Sequence, residues 1–129
     1  MVQVKITGCV DQLNSIKAEL SDVIHSCLQA AIGTPENKRF HRFFPLAPED
    51  FYYPSDRTNQ YTIIEIVMFE GRSIPVKKKL TRLLFERISQ AFEIAIADIE
   101  IVMFDVPKHN WGIRGLPGDE LVLNYVVEA

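Results

Sequence analysis

Two short segments hold the residue types that most readily do chemistry in this chain of 129 residues. EGRS, residues 70–73, follows an apolar run and precedes a helical pattern, so that Arg72 stands beside a predicted helix N-terminus. An arginine there suits a carboxylate, because its planar guanidinium donates two parallel hydrogen bonds. HNWGIRGLPGDE, residues 109–120, holds the only tryptophan, Trp111, together with Arg114. Each segment predicts either part of an anion-binding site or a plain turn.

The glycines of residues 109–120 do not have the spacing of a phosphate-binding loop. The segment lacks the Walker and GxGxxG patterns, and it follows a strand pattern without opening a helix. We expect GIRGLPGD to turn the chain back into a short C-terminal strand, ELVLNYVVEA, residues 120–129. Trp111 is then either a core residue at this corner or the wall of a pocket.

The histidines and cysteines predict no metal site and no cofactor. His25, His41 and His109 form no pair at metal-ligand spacing, and no carboxylate cluster accompanies them. Cys9 and Cys27 form no CxxC motif and are expected to be unpaired thiols.

Charge and composition argue against nucleic-acid and membrane partners. The net charge is −3 and the sequence pI is about 5.6, which gives no general attraction to phosphate backbones or anionic lipid. The basic run at residues 77–79 fits an exposed helix face. No run of 18 apolar residues and no secretion-signal pattern is present, so we expect a cytoplasmic protein.

The chain repeats one pattern of elements at an offset of 60 residues. Each half reads as a strand, an amphipathic helix and a second strand. Asp11 is expected to cap the first helix, which Gly33 ends, and residues 99–106 form the last strand of the second half. The offset is shared by a set of apolar pairs: Val4 and Ile64, Ile6 and Ile66, Ile16 and Val76, Leu20 and Leu80, Leu28 and Ile88.

These repeats predict an α+β domain covering residues 1–129, with one unit in about 1–60 and the other in about 61–129. Two tandem β-α-β units form a four-stranded mixed sheet with both helices on one face. The strand at residues 61–70 is almost continuously apolar, which predicts burial on both faces. The uncovered sheet face is therefore expected to be apolar and to drive oligomerisation. Five aromatic residues between the repeats are expected to be buried: Phe43, Phe44, Phe51, Tyr52 and Tyr53.

The second half resembles the tautomerase superfamily, and 4-oxalocrotonate tautomerase in particular. The resemblance rests on a strand ending in EGRS, a lysine-rich helix, a strand, and then an aromatic residue before Gly-Ile-x-Gly, here NWGIRG. The fused length, and AIGTPENKR at residues 31–39, are similar to malonate semialdehyde decarboxylase.

This resemblance implies a homotrimer with a pocket at the N-terminus of the first strand. Members of the family use an amino-terminal proline as acid or base, arginines for the substrate carboxylate and an aromatic wall. Arg72 is similar in position to a substrate-binding arginine, and Trp111 to the wall aromatic. Lys38 or Arg39 would polarise a carbonyl, and Arg114 is a further candidate for ligand binding.

Two departures from the family pattern bear on activity. Val2 occupies the proline position. Behind a retained Met1 its nitrogen is a peptide amide that cannot act as a base, and after removal of Met1 it would supply only a primary amine. Lys38 stands where the decarboxylase has an aspartate, and Glu70-Gly71-Arg72 stands where that enzyme has Arg-x-Arg. The expected function is the binding of a small keto or enol carboxylate, with tautomerisation or decarboxylation. The alternative is a silent trimeric member that serves as a binding or structural module.

Overall fold

The structure is a computed structural model and describes residues 1–121. Its main elements follow in chain order: β1 (Val2–Cys9), α1 (Val10–Ile32), β2 (His41–Leu46), β3 (Thr62–Phe69), α2 (Ile74–Phe92), β4 (Ile99–Val106), β5 (Gly112–Ile113) and β6 (Leu116–Pro117). Most of the C-terminal strand predicted at residues 120–129 lies outside the described residues.

The main sheet has the order β2-β1-β3-β4. β1 runs parallel to β2 and antiparallel to β3, and β3 runs parallel to β4, which confirms the mixed sheet. The register of β1 and β3 pairs Val4 with Ile66 and Ile6 with Ile64. Since Val4 and Ile64 are equivalent in the repeat, as are Ile6 and Ile66, this crossed pairing is what a twofold relation between the units requires.

Alternation along the central strands places one residue in two against the helices. Val4, Ile6, Ile64 and Ile66 are fully buried there, in one cluster with the apolar stripes of both helices. The helix residues fully buried in this cluster are Leu13, Leu20, Ile24, Cys27, Leu80, Leu84 and Ile88. Both helices therefore cover the same sheet face, as the repeat predicted.

The helix boundaries follow local chemistry, with one difference from expectation. α1 begins at Val10 after an extended Cys9, so Asp11 lies in its first turn and the prediction that Asp11 is the N-cap was wrong. The strand passes directly into the helix, which leaves no capping turn between them. Gly33 ends α1 in the left-handed conformation, at φ 69°, which glycine adopts without strain. Ser73 caps α2, where its hydroxyl accepts a hydrogen bond from the Val76 amide.

The segment between the repeats is only partly buried. Phe51, Tyr53 and Tyr61 form a cluster in which Phe51 stacks on Tyr61 with ring centroids 5.6 Å apart. The prediction of burial was wrong for Tyr52, which is 86% exposed, and for Phe44, which is 40% exposed. Tyr52 follows Phe51 in an extended stretch, so its side chain leaves the cluster on the opposite side.

The second face of the sheet has no covering layer within the described residues. Large apolar side chains lie on it, including Phe44, Val102 and Phe104. The face is apolar as expected at these positions but not at its centre, where Lys5 Nζ lies 3.1 Å from Glu65 Oε2. The prediction that β3 is buried on both faces also fails in the single chain, because its alternate residues are only half-buried. We refer to this surface as the open face.

Candidate functional site

The start of β1 and the C-terminal ends of β3 and β4 lie side by side at one end of the sheet. Val2 pairs with Met68, and the Phe69 amide donates a hydrogen bond to the Met1 carbonyl over 3.3 Å. The Glu70 amide donates to the Val106 carbonyl over 2.9 Å. This register brings the beginning of β1 beside the ends of β3 and β4, and Met1 and Phe69 both point away from the helices.

The chain after β4 folds back over this edge. A short 3₁₀ turn, Lys108–Asn110, leads to Trp111, whose ring meets the fully buried Phe69 ring edge-on at 5.2 Å between centroids. The Gly118 amide then donates to the Trp111 carbonyl over 2.6 Å. The indole is thereby held against the floor that Phe69 provides.

β5 and β6 form a hairpin that closes one side of the site. Arg114 and Gly115, the two residues between the strands, both have positive φ angles, 53° and 83°. Two consecutive positive φ angles are typical of the tight turns that suit the twist of a hairpin. The expectation that GIRGLPGD turns the chain back is confirmed.

A cavity of about 290 Å³ opens between these elements. Its lining residues are Met1, Gln3, Phe40, Trp111, Gly112, Ile113 and Arg114. Met1, Phe69, Trp111 and Ile113 pack together as an apolar cluster separate from the main core. The site is therefore an apolar pocket with a polar rim, at the end of the open face where Gln3 lies.

The amine of Met1 is the most perturbed group in this pocket. Met1 is only 7% exposed. The pKa of its amine is lowered from its usual value near 8 to about 5, first by burial and then by the positive charges of Arg72 and Lys108. At neutral pH the amine therefore holds a free lone pair and can accept a proton.

Arg72 is buried at the same end of the sheet, in the turn between β3 and α2. It is 5% exposed, and its Nη1 donates to the Phe69 carbonyl over 3.2 Å. The turn that places it depends on Gly71, whose φ of 128° is rarely adopted by other residues. EGRS thus supplies a tight turn, a buried cation beside the Met1 amine, and the Ser73 cap of α2.

The predicted site residues divide into two groups. Trp111 and Arg114 line the cavity, and Arg72 lies close enough to the Met1 amine to lower its pKa. Lys38 does not line the cavity, and its amide closes a turn on the Pro35 carbonyl. Arg39 also lies away from it, because its guanidinium is paired with Asp22 of α1 at 2.5 Å.

Val2, at the proline position, belongs to the main core. The amine in the pocket is therefore that of Met1, one residue earlier than the family pattern indicates. Strand alternation contained the signal, since Val2 and Val4 share the helix-facing side and Met1 must take the other.

Sequence reasoning also missed Phe69, Phe40 and Lys108. Phe69 and Phe40 are apolar residues at strand ends, and nothing in their immediate sequence separates a pocket floor from a core. Lys108 lines a second, more open cavity of about 420 Å³ with Glu70, Gly71 and His109. Among residues 1–121, no group of three or more His, Cys, Asp or Glu side chains is placed to hold a metal ion. No helix in the same range is both long and apolar enough to cross a membrane.

Comparison with known proteins agrees with this architecture. A family model described as tautomerase enzyme matches residues 38–114, more than half of the chain. The chain belongs to the tautomerase superfamily. The match runs from β2 to β5, and it includes the EGRS turn between β3 and α2. It also includes the pocket residues Phe40 and 111–114, but not Met1 and Gln3.

The sequence relative matches a stretch about as long as one repeat, whereas the solved structures superpose on nearly the whole chain. The chain is 37% identical over 57 residues to a 2-hydroxymuconate tautomerase of Comamonas testosteroni, a stretch that covers 44% of this chain and 90% of that protein. A solved malonate semialdehyde decarboxylase superposes with a TM-score of 0.79 at 19% identity, over 93% of this chain and 99% of that one. A fused 4-OT described as an asymmetric trimer gives a TM-score of 0.81 at 18% identity, over 91% and 96%.

Proposed function

We propose that this tautomerase-superfamily protein binds a small keto or enol carboxylate and interconverts its two forms, with the Met1 amine as the proton carrier. The observation that supports the proposal best is a buried amine, neutral at physiological pH, in an apolar pocket beside the guanidinium of Arg72. In a chain that begins at Met1, this amine takes the part that the proline of the family would otherwise take.

In the proposed reaction the Met1 amine carries the proton from the enol oxygen to carbon. The neutral amine removes the enol hydroxyl proton and becomes an ammonium. The C=C electron pair of the enol then takes a proton from that ammonium at carbon, which gives the ketone and restores the amine. A pKa near 5 keeps the amine neutral between turnovers, and the ammonium is a strong enough acid to protonate carbon.

Cations around the amine give the ligand its orientation. Arg72 and Lys108 both act on the amine electrostatically, and Arg114 lies on the cavity wall. A carboxylate held by these side chains places the neighbouring carbonyl near the amine, and the same cations stabilise the enolate charge that develops. Trp111 and Phe40 exclude water from the other sides. Lys38 and Arg39 remain predictions as carbonyl-polarising groups.

Decarboxylation of a β-keto acid is a second candidate, because the Met1 amine is primary. A neutral primary amine adds to a ketone and loses water to form an imine. When the carboxylate leaves as CO₂, the electron pair of the broken C–C bond moves to the protonated imine nitrogen and gives an enamine. A proton from water then adds at carbon and restores the imine, which water hydrolyses to release the ketone and the amine. Borohydride would reduce the imine present before or after loss of CO₂ and fix the ligand covalently to Met1, which intact mass measures directly.

The open face supports assembly into a homotrimer. One structural neighbour is described as an asymmetric trimer, and the exposed Phe44, Val102 and Phe104 offer apolar area for a second copy. The pocket lies at the end of this face, so partner subunits would complete its rim.

A matched pair of N-termini tests the proton carrier. A cleavable leader is removed so that one preparation begins at Met1 and the other retains a single glycine before it, with intact mass recorded for both. We expect ketonisation of phenylenolpyruvate by the first preparation and a loss of roughly a hundredfold or more in the second. Equal rates would overturn the role of the Met1 amine.

Three further variants separate the remaining possibilities. Arg72→Lys should keep part of the activity that Arg72→Gln loses, because it preserves the charge. A chain beginning at Val2, and Val2→Pro in that chain, test whether the pocket accepts the amine of the second residue instead. Folded protein that is silent in every form would favour the binding or structural module.

A further inference from the structure

We propose a second ligand pocket at the opposite end of the sheet, one that takes a small organic ammonium ion. A cavity of about 360 Å³ lies where β1 passes into α1 and the segment between the repeats folds over it. Its lining residues are Cys9, Val10, Asp11, Gln12, Pro48, Phe51, Tyr52, Tyr53 and Asn59. This cavity shares no residue with the pocket at Met1.

The second pocket is built from the same parts as the first, displaced by one repeat. The offset of 60 residues relates the lining or floor residues of the two sites: Cys9 to Phe69, Phe51 to Trp111, Tyr53 to Ile113 and Tyr61 to Met1. It also relates their 3₁₀ turns, Pro48–Asp50 and Lys108–Asn110. Tyr61 and Met1 are equally buried, at 7% exposure. The fold therefore forms a pocket at each end, and the side chains decide what each one takes.

The second pocket lacks the cations and the free amine found at the first. Gln12 stands where the first site has Arg72, and Pro48 where it has Lys108. The Tyr61 nitrogen is a peptide N–H that donates to the Thr58 carbonyl over 3.0 Å, so it is no base. No lysine or arginine is found among the described residues that line this cavity. A carboxylate ligand would find neither of the groups that hold it at Met1.

Asp11 and the aromatic walls favour a positive charge instead. Asp11 lines the cavity, and its carboxylate offsets the partial positive charge of the α1 N-terminus. Phe51 and Tyr53, with ring centroids 5.3 Å apart, present aromatic faces and edges to the same space. Aromatic faces attract ammonium groups through their quadrupole, and a nearby carboxylate adds to that attraction.

The same aromatic cluster already holds one cation of the chain. The Arg57 guanidinium lies 5.5 Å from the centroid of the Tyr61 ring, which is itself stacked on Phe51. Arg57 is paired with Asp56 at 2.8 Å and with Glu100 at 3.6 Å. Because these carboxylates balance its charge, Arg57 adds no net positive charge to the neighbouring cavity. The buried Asp98 acts electrostatically on Tyr53 and adds to the negative charge of Asp11.

Cys9 provides a reporter of occupancy in the unmodified protein. Cys9 lines the cavity, is half-buried and is hydrogen-bonded to the side chain of Tyr53, whereas Cys27 is fully buried in the core. The rate of Cys9 alkylation by iodoacetamide, followed by mass spectrometry, therefore measures access to this pocket. Three probes share one ring and differ in charge: benzylammonium, benzyl alcohol and benzoate. We expect benzylammonium to protect Cys9 at a concentration roughly fivefold or more below that of benzyl alcohol, and benzoate least of all.

One variant tests the charge and another serves as its control. Asp11→Asn should weaken the preference for benzylammonium, whereas Asp50→Asn, an exposed acid outside the cavity lining, should leave it unchanged. Far-UV circular dichroism and the urea unfolding midpoint of both variants should be close to those of the wild type, which shows that each is folded. Equal protection by all three probes, strongest protection by benzoate, no protection by any probe, or an unchanged preference in Asp11→Asn would overturn the proposal.

Discussion

At the scale of single residues, the pocket depends on the protonation state of the Met1 amine and on the small size of Gly118. The Met1 amine is neutral because burial and two cations oppose its protonation. Gly118 has no side chain because the backbone of Lys108 and the ring of Phe69 occupy that space. Each feature can be changed alone, and each change has a definite expected result.

The first residue-scale prediction concerns the dependence of rate on pH. The base acts when neutral, so kcat/KM for phenylenolpyruvate should be constant above about pH 6 and fall tenfold per pH unit below about 5. Lys108→Gln removes one cation near the amine, so the break should move to higher pH. Lys78→Gln, an exposed lysine of α2, should leave it in place. A break near pH 8 in the wild type would mean an ordinary exposed amine.

The second residue-scale prediction concerns Gly118. A Cβ at this position would clash with the Lys108 carbonyl oxygen and would lie 2.9 Å from Cζ of Phe69. Gly118→Ala should therefore lower the free energy of unfolding by roughly 1–3 kcal/mol in urea titrations, and loosen the contact of Trp111 with Phe69. Gly112→Ala is the matched control, because a Cβ there meets nothing within 4 Å. Equal stabilities of the two variants would contradict the packing described.

At the scale of elements, the repeat explains what could be predicted from the sequence. The 60-residue offset, which relates Leu20 to Leu80, predicts two equivalent helices on one face of the sheet. The strand predicted at residues 99–106 is β4. The pocket could be predicted only in part. Arg72 and Trp111 belong to recognisable segments, whereas Phe40 and Lys108 reach the site through strand order and a fold-back that local sequence does not encode. Tyr52 is exposed because neighbours in an extended chain point in opposite directions.

An element-scale prediction concerns the attachment of β2 to α1. His41 Nδ1 lies 2.7 Å from Ser21 Oγ of α1, and its ring is 6.0 Å from that of His25. The pKa of His41 is lowered to about 4, first by burial and then by His25 and Arg39. The unfolded chain, with a histidine pKa near 6.5, therefore binds more protons between these values, and stability is lost as pH falls through that window.

The measurement is the free energy of unfolding in urea at about pH 7 and about pH 4.5, for wild type and His41→Gln. The substitution should reduce the loss on acidification by roughly 1–2 kcal/mol, a figure discounted for the water that reaches the ring. His109→Gln, at an exposed position, should leave the loss unchanged. An identical pH dependence in wild type and His41→Gln would mean that other groups account for the loss.

At the scale of the whole molecule, one fold presents two pockets and an open face. The twofold relation between the repeats gives the two ends of the sheet a common shape, while Arg72 gives one end a positive charge and the buried Met1 amine gives it a neutral nitrogen. Gln3 and Phe40 line the Met1 pocket at the edge of the open face. Assembly and activity should therefore depend on each other, which a single substitution on that face can test.

Phe104 is the residue of choice because it is 46% exposed in the single chain and lies on the open face without lining the pocket. In a homotrimer it would be buried, so Phe104→Glu should place a charge in the interface and dissociate the assembly. Sedimentation should show a trimer for wild type and a monomer for this variant, with turnover of phenylenolpyruvate reduced because the pocket rim is incomplete. Lys78→Glu, at an exposed position of α2 on the other side of the sheet, should remain trimeric. A monomeric wild type with full turnover would mean that one chain forms the whole site.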